Sequence, residues 1–481
     1  MGGEAERARR LHRWWLAGVF AVALGLRLAH ILAVSDFERE HLVRGMDRWL
    51  DVTVARAVAH GDVLGGRYAR YESAPAYALL LGAAYRTCGR CWRGPLLLQA
   101  VLGAVAPLLL YGAGRRLASE RVGLLSAALA AVYGPAIFHE GLTVKFALVP
   151  VTVSAALWAA SAAGRGGLGA AFAAGAATSL LVAVRANAVA VLIVVVAWIV
   201  ATVRPARAAT CLLAFMLGVT TVAGPLALRR MLAAERGDAA SLWGIHFYIG
   251  AQPDGDGGYV VVPGVADDVF GHVDDAREIA ERATGHRLGP AEVSRFWFRR
   301  GLDGIRERPW DYVALEGRKL RRILIPWEND AFGDDYAEYA ARSPVLRWGS
   351  IGFGDVAVVA LLGLALVLRQ PSRATWCAVF VVAYAGSLAL FFVTSRYRLP
   401  LVPPLLVCAA IALGRLADLA ARRRALVLPI LGGPVLATVL LYGADPGTVA
   451  RSTLVIGTGL PVAAWLRGRL APPSGLDQRV T

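Results

Sequence analysis

Two guanidinium groups, Arg396 and Arg398, stand two residues apart in Thr394-Ser395-Arg396-Tyr397-Arg398-Leu399-Pro400, at the edge of an apolar run. Fork-shaped guanidinium groups bond phosphate oxygens two at a time, so this pair suits a lipid phosphate. In an extended stretch the i, i+2 spacing aims both side chains the same way. The alternative is a pair of flanking residues that snorkel to the interface. Upstream, Asp47 and Asp51 lie one turn apart in a predicted helix over 46–60, opposite a stripe of Leu50, Val54 and Val58. Such a helix lies on a membrane surface with its acids toward water. Glu140 follows His139 and precedes Lys145 at the outer end of a predicted span, and Arg185 sits at a predicted outer turn between two spans. Either Arg185 joins the phosphate-binding cluster or it caps a helix end. Arg27 falls within the first apolar span, where a charge at mid-depth costs about 2.5–3.5 kcal/mol, so it should face protein or water.

The elements that must position these residues are membrane helices. A net charge of +16 on 481 residues would point to nucleic acid in a soluble chain, but 57% of the residues are hydrophobic and the mean hydropathy is +0.53. The composition is that of a membrane protein, with no nucleic-acid partner expected. Apolar runs of roughly 20 residues recur from Trp14 onward and predict about twelve spans. Most of the arginine falls in the gaps, and Lys and Arg are retained on the cytoplasmic side. One alternation then places inside the N-terminus, Arg115 to Arg121, Arg165, Arg204 to Arg207, Arg369 to Arg373, Arg415 to Arg424 and Arg467 to Arg469. The N-terminal basic cluster reads as an inside anchor, since no small-residue cleavage site follows the apolar run.

This topology predicts an N-terminal membrane module over 1–228 that includes a first outer loop (35–94), a large outer-face region over 229–349, and C-terminal membrane helices over 350–481. Both outer segments are long and aromatic, the mark of functional loops. In the first, Pro75 opens a short apolar piece over 76–85 that re-enters the interface. In the second, Pro290 and Pro309 each precede a predicted amphipathic helix, carrying Val293, Phe296, Trp297 and Ile305 on one face of the first and running over 312–325 in the second. The fold class expected is therefore an all-α polytopic membrane protein with interfacial helices in two outer-face loops.

No Walker loop, GxGxxG unit or HExxH is present, which leaves nucleotide-driven transport and metalloprotease chemistry without a sequence basis. Cys211, Cys377 and Cys408 lie in spans as small apolar residues. Cys88 and Cys91 form a single CxxC; a short-loop disulfide and two incidental thiols are both compatible with it, whereas zinc lacks a second ligand pair. No cofactor is required, and a divalent metal is neither demanded nor excluded.

Five stretches resemble the bacterial polytopic glycosyltransferases of the GT-C class, akin to protein O-mannosyltransferases and lipid A aminoarabinose transferases. They are Met46-Asp47 with Gly61-Asp62 and Ala74-Pro75-Ala76-Tyr77; Tyr133-Gly134-Pro135 leading to Glu140; Val184-Arg185-Ala186-Asn187; Gly244-Ile245-His246-Phe247-Tyr248-Ile249-Gly250; and Arg396 to Pro400. The departures are Ala186 for a Pro, His246 for an Asn and Ala74 for the Lys of the aminoarabinose enzymes, with Lys145 or Arg70 as compensating cations. The resemblance implies sugar transfer, with inversion, from a polyprenyl-phosphate donor to a glycan, lipid or protein acceptor on the outer face of a bacterial inner membrane. That chemistry needs a base for the acceptor's proton and positive charge on the departing phosphate. By position Asp47 is the base; Asp51 is its rival and Glu140 a positioning or catalytic acid, while Arg396, Arg398, Arg185 and Lys145 hold the phosphate. A lipid flippase or transporter, or an inactive structural relative, are the competing readings; transporters, however, gather their binding residues at the midplane.

Overall fold

The computed structural model describes residues 2–71, 74–89, 91–234, 242–328, 335–422, 437, 454–456 and 458–466. Arg423, Arg424 and Arg467 to Arg469, counted above among the cytoplasmic clusters, lie outside the described residues. Within them the regular structure is helical, with one isolated bridge between Tyr133 and Ile351.

In chain order the helices are α1 (Gly2–Glu40), α2 (Asp47–Ala59), α3 (Pro75–Thr87), α4 (Arg93–Leu117), α5 (Glu120–Ala131), α6 (Gly134–Glu140), α7 (Val149–Ala163), α8 (Leu168–Val184), α9 (Val189–Thr202) and α10 (Pro205–Ala234). The second outer segment supplies α11 (Trp243–Gly250), α12 (Asp274–Thr284), α13 (Pro290–Glu307), α14 (Pro309–Ile323), α15 (Tyr336–Arg342) and α16 (Pro344–Trp348). The chain then returns through α17 (Phe353–Arg369), α18 (Thr375–Ala389) and α19 (Val402–Arg422). Short 3-10 segments join them, among them Lys145–Leu148 before α7 and Ser395–Leu401 before α19.

Five helical stretches are long and apolar enough to cross a membrane: Arg13–Glu40, Arg93–Leu117, Lys145–Ala163, Pro205–Ala233 and Ser395–Arg422. Leu168–Val184, Ala186–Thr202 and Thr375–Ala389 are apolar but shorter. Among the described residues five stretches reach crossing length, and several other apolar runs fold as shorter helices. Small residues let the helices approach closely. A Cβ on Gly175 would lie 2.0 Å from the Phe215 carbonyl oxygen, and one on Gly218 2.0 Å from that of Phe172, so α8 and α10 touch backbone to backbone.

The outer helices follow their predicted bounds closely. α2 begins at Asp47 and buries Leu50, Val54 and Val58; α13 and α14 start at Pro290 and Pro309, where the missing N–H costs nothing at the first helical turn. The stretch 140–145 that precedes α7 is pinned from three sides. From α4, the Gln99 amide donates to the Glu140 and Leu142 carbonyls at 2.9 and 2.8 Å. From α1, the fully buried Glu38 carboxylate accepts from the Thr143 N–H at 3.0 Å and its hydroxyl at 2.7 Å, while also holding Arg48 and, at 2.5 Å, the Tyr339 hydroxyl. From α2, Asp51 accepts from the Lys145 N–H at 3.3 Å. A carboxylate this deep is stable only because each of its oxygens is occupied. The consequence is a fixed position for Lys145.

Candidate active site

A cavity of about 390 Å³ opens where the start of α2, the Lys145 turn, the α8–α9 junction and the 395–401 segment meet the second outer segment. It is lined by Asp47, Lys145, Arg185 and Arg396 and by His246, Asp268 and His272. The 35–94 and 229–349 segments are joined at its rim. Gly45 adopts φ +89°, its carbonyl accepts from the Val269 N–H at 2.9 Å, and a Cβ there would sit 2.7 Å from the Asp268 Oδ2. Only glycine meets both conditions without strain.

Asp47 is the carboxylate at the centre of this arrangement. Its Oδ1 lies 3.2 Å from the Lys145 Nζ and its Oδ2 3.3 Å from an Arg396 guanidinium nitrogen, and its side chain keeps 23% of its surface accessible to the cavity. Burial alone would raise its pKa; Lys145 and Arg396 outweigh burial and hold the carboxyl well below the usual carboxylate range. It is ionised across the physiological pH range.

The cations are themselves stiffened by aromatic rings. Arg185 stacks 3.7 Å above the Tyr397 ring and 5.2 Å from that of Phe146, and Arg396 sits 4.9 Å from the same Phe146 ring. Arg230, near the end of α10, also lines the cavity, giving four basic side chains against the carboxylates of Asp47 and Asp268. An excess of positive charge in a hollow favours an anion there.

The rest of the lining is largely imidazole and aromatic. The His246 and His272 rings lie 5.6 Å apart and nearly perpendicular, and the His272 Nε2 shares a 2.7 Å hydrogen bond with the Tyr259 hydroxyl. Burial, and secondarily the neighbouring imidazole, lowers the His246 pKa to about 3; burial lowers that of His272 as well. Both rings are neutral near pH 7.

Of the residues singled out from the sequence, Asp47, Lys145, Arg185 and Arg396 meet in this cavity, and Arg398, Glu140, Asp51 and Arg70 do not. Arg398 points away: its guanidinium bonds the carbonyls of Ile325 and Trp327 (the latter at 2.9 Å), pairs with Glu328 at 2.7 Å and lies 4.1 Å over Phe353. The expectation that Arg396 and Arg398 aim together is corrected by local geometry. The segment is a 3-10 helix, not an extended strand, so residues two apart diverge by about 120°. Glu140 is also displaced from the reaction space: it is fully buried and pairs with Arg27 at 2.6 Å, which identifies the partner that Arg27 needed. Asp51 is 2% exposed instead of facing water, because α3 and the 141–146 stretch cover that side of α2. Arg70 pairs with Asp274 at 3.1 Å outside the cavity lining, so Lys145 is the cation that faces Asp47. Cys88 and Cys91 are unbridged; the Cys88 thiol points to the Cys91 carbonyl at 3.3 Å.

Sequence reasoning noticed His246 only as a departure from a pattern and missed His272, Asp268 and Arg230 altogether. The last three belong to stretches without a motif, and only tertiary contacts bring them to the site.

No family model matches the chain, and no curated protein matches it. Among solved structures the chain is similar to ArnT from Cupriavidus metallidurans bound to undecaprenyl phosphate, with 15% identity over 95% of this chain and 77% of that one and a TM-score of 0.49. It is also similar to the archaeal oligosaccharyltransferase AglB from Archaeoglobus fulgidus in complex with an inhibitory peptide and a dolichol-phosphate, with 13% identity over 92% of this chain, 56% of that one and a TM-score of 0.45. The apo form of the A. fulgidus oligosaccharyltransferase gives 14% identity over 97% of this chain, 59% of that one and a TM-score of 0.44. The chain therefore spans little more than half the length of the archaeal enzymes. At these TM-scores the role of each residue rests on the geometry described above.

Proposed function

We propose that this chain is a GT-C-type membrane glycosyltransferase that moves a sugar from a polyprenyl-phosphate donor to an acceptor on the outer face of a bacterial inner membrane, with its N-terminus cytoplasmic. The observation that carries this reading is the triad in which Lys145 and Arg396 grip Asp47 at 3.2 and 3.3 Å inside one cavity. The five sequence stretches that resemble GT-C enzymes agree with it, since Asp47, Arg185, His246 and Arg396 each come from one of them.

The chemistry is a single displacement. The acceptor hydroxyl oxygen attacks the anomeric carbon, its proton passes to the Asp47 carboxylate, and the bond from that carbon to the phosphate oxygen breaks with its electron pair leaving on the polyprenyl phosphate. Inversion at the anomeric carbon follows from one displacement without a covalent intermediate. Paired with Lys145 and Arg396, Asp47 is a weak base because two cations hold its charge. An arriving phosphate competes for Lys145 and Arg396, and each contact it takes from the carboxylate raises the basicity of Asp47 where the acceptor's proton must go. Arg185, fixed on Tyr397, adds a third charge-assisted donor for the leaving group. Donor binding thereby prepares the base.

The test is mass spectrometry of envelope material from cells with the wild-type chain and cells with Asp47→Asn. Loss of a sugar modification in the variant supports transfer. Unchanged modification, or outward movement of intact lipid-linked sugar by the variant at the wild-type rate with no modification in either strain, contradicts it in favour of a flippase.

A further inference from the structure

Glu38 does not line the cavity, yet its carboxylate holds a neighbour of each member of the Asp47–Lys145 pair. Its Oε1 accepts from the Thr143 N–H at 3.0 Å and from the Thr143 hydroxyl at 2.7 Å. Thr143 stands two residues before Lys145, and Val144 between them is extended (φ −133°, ψ 144°), so a shift at one is carried to the other. Its Oε2 accepts from the guanidinium of Arg48, the residue after Asp47 at the start of α2. Tyr339 of α15 closes the set, donating its hydroxyl to Oε2 at 2.5 Å and accepting from Arg48 at 2.7 Å. Glu38, Arg48, Thr143 and Tyr339 are all buried. Asp51 also ties the Lys145 N–H to α2, at 3.3 Å, but Glu38 adds α1 and, through Tyr339, the 229–349 segment.

A buried ion pair is a poor device for stability alone, because well-packed apolar residues of similar volume often do as well. It is a good device for fixing how two segments stand to each other, because charge-assisted hydrogen bonds are short and directional. The segments fixed here carry the carboxylate and the cation of the cavity, 98 positions apart in the chain. Resting on the transferase reading, we propose that Glu38 is a positioning residue of the transfer reaction. It acts through Thr143 and Arg48 to set where Lys145 stands against Asp47, and so where the arriving phosphate finds its cation.

The experiment measures binding of undecaprenyl phosphate to the full chain in lipid nanodiscs, per folded molecule, for wild type, Glu38→Gln, Lys145→Ala and the double variant. Glu38→Gln puts an N–H2 group where a carboxylate oxygen accepted, and binding weakens by about tenfold, the scale of a misplaced contact. In the Lys145→Ala background the same change adds less than about twofold, because the group it positions is gone, while the losses in Tm still accumulate. A purely structural Glu38 would lower Tm without this coupling in binding. Glu38→Gln binding within about twofold of wild type, or an effect as large with Lys145 absent as with it present, overturns the proposal and leaves the transferase reading standing. Should Glu38→Gln not fold, Thr143 decides: Thr143→Val, which removes only the hydroxyl, weakens binding by about threefold or more, and Thr143→Ser, which keeps it, does not. Equal binding by those two variants overturns the proposal as well. Failure of the wild-type chain to bind the lipid defeats the transferase reading and this inference with it.

Discussion

The Asp47 carboxylate and the Arg396 guanidinium, 349 positions apart by their numbering, meet at 3.3 Å in a cavity that Arg398, two residues further on, does not line. The 3-10 turn of the 395–401 segment divides labour between the two arginines. Arg396 serves the cavity, and Arg398 ties the segment to the carbonyls that follow α14.

That division predicts opposite phenotypes. Arg396→Ala or Lys145→Ala weakens undecaprenyl phosphate binding by roughly tenfold or more, the loss of a charge-assisted contact, and also lowers Tm because Asp47 loses one of its two cations. Arg398→Ala leaves Glu328 and the carbonyls of Ile323, Ile325 and Trp327 without this donor and lowers Tm, with a loss of about 2–4 kcal/mol, while any lipid that the folded fraction binds is bound normally. Titration of lipid into each variant, alongside thermal unfolding in the same detergent, separates the two.

Acid should act on the Asp47 triad late. Its carboxyl is held below the ordinary range, so the folded form carries its charge to lower pH than the unfolded chain does, and the stability it contributes is present above about pH 4 and lost as pH falls through the lower folded value. The Tm difference between wild type and Asp47→Asn is therefore flat from pH 8 to 5 and shrinks on further acidification. A difference that already closes between pH 7 and 5 contradicts the triad.

The buried Arg27–Glu140 pair is structural. Removing one partner strands a charge in an apolar surrounding, so Arg27→Met or Glu140→Leu alone costs about 3–5 kcal/mol, and the double replacement recovers most of it. Thermal unfolding of the four proteins of this cycle measures the coupling. Additive losses would mean that Glu140 has another task.

Gly45 joins the two outer segments in a left-handed conformation. Gly45→Ala meets both an unfavourable φ and the Asp268 carboxylate, a cost of about 1–3 kcal/mol. Because Asp47 is two residues away, transfer falls by more than Tm alone would suggest; comparing activity per folded molecule checks this.

Local signals in the chain were enough to locate α2 to within a residue at each end, α14 to within three, and the start of α13 at its proline, because apolar spacing and a helix-opening proline are properties of a short window. They also placed Arg185 at a helix end and Asp47 at a helix start. What a short window cannot contain is the partner. Glu140 looked like a catalytic acid until Arg27, on a different helix, was seen to neutralise it, and Asp51 looked solvated until α3 covered it. Arg398 was misplaced for a different reason: the backbone form of seven residues decides whether i and i+2 agree, and proline and aromatic residues there fit both an extended strand and a 3-10 turn. His272 and Asp268 had no local mark at all.

In the proposed displacement Asp47 takes the acceptor's proton while its neighbouring cations hold the leaving phosphate. The most direct measurement is single-turnover transfer by the purified wild-type and Asp47→Asn proteins, with polyprenyl-phosphate sugar binding recorded on the same samples. The account predicts a rate lower by about 10²–10⁴-fold in the variant, with donor binding equal to or tighter than wild type because Lys145 and Arg396 no longer pair with a carboxylate. A variant that transfers within a few-fold of wild type, or one that loses donor binding and rate in equal measure, contradicts it.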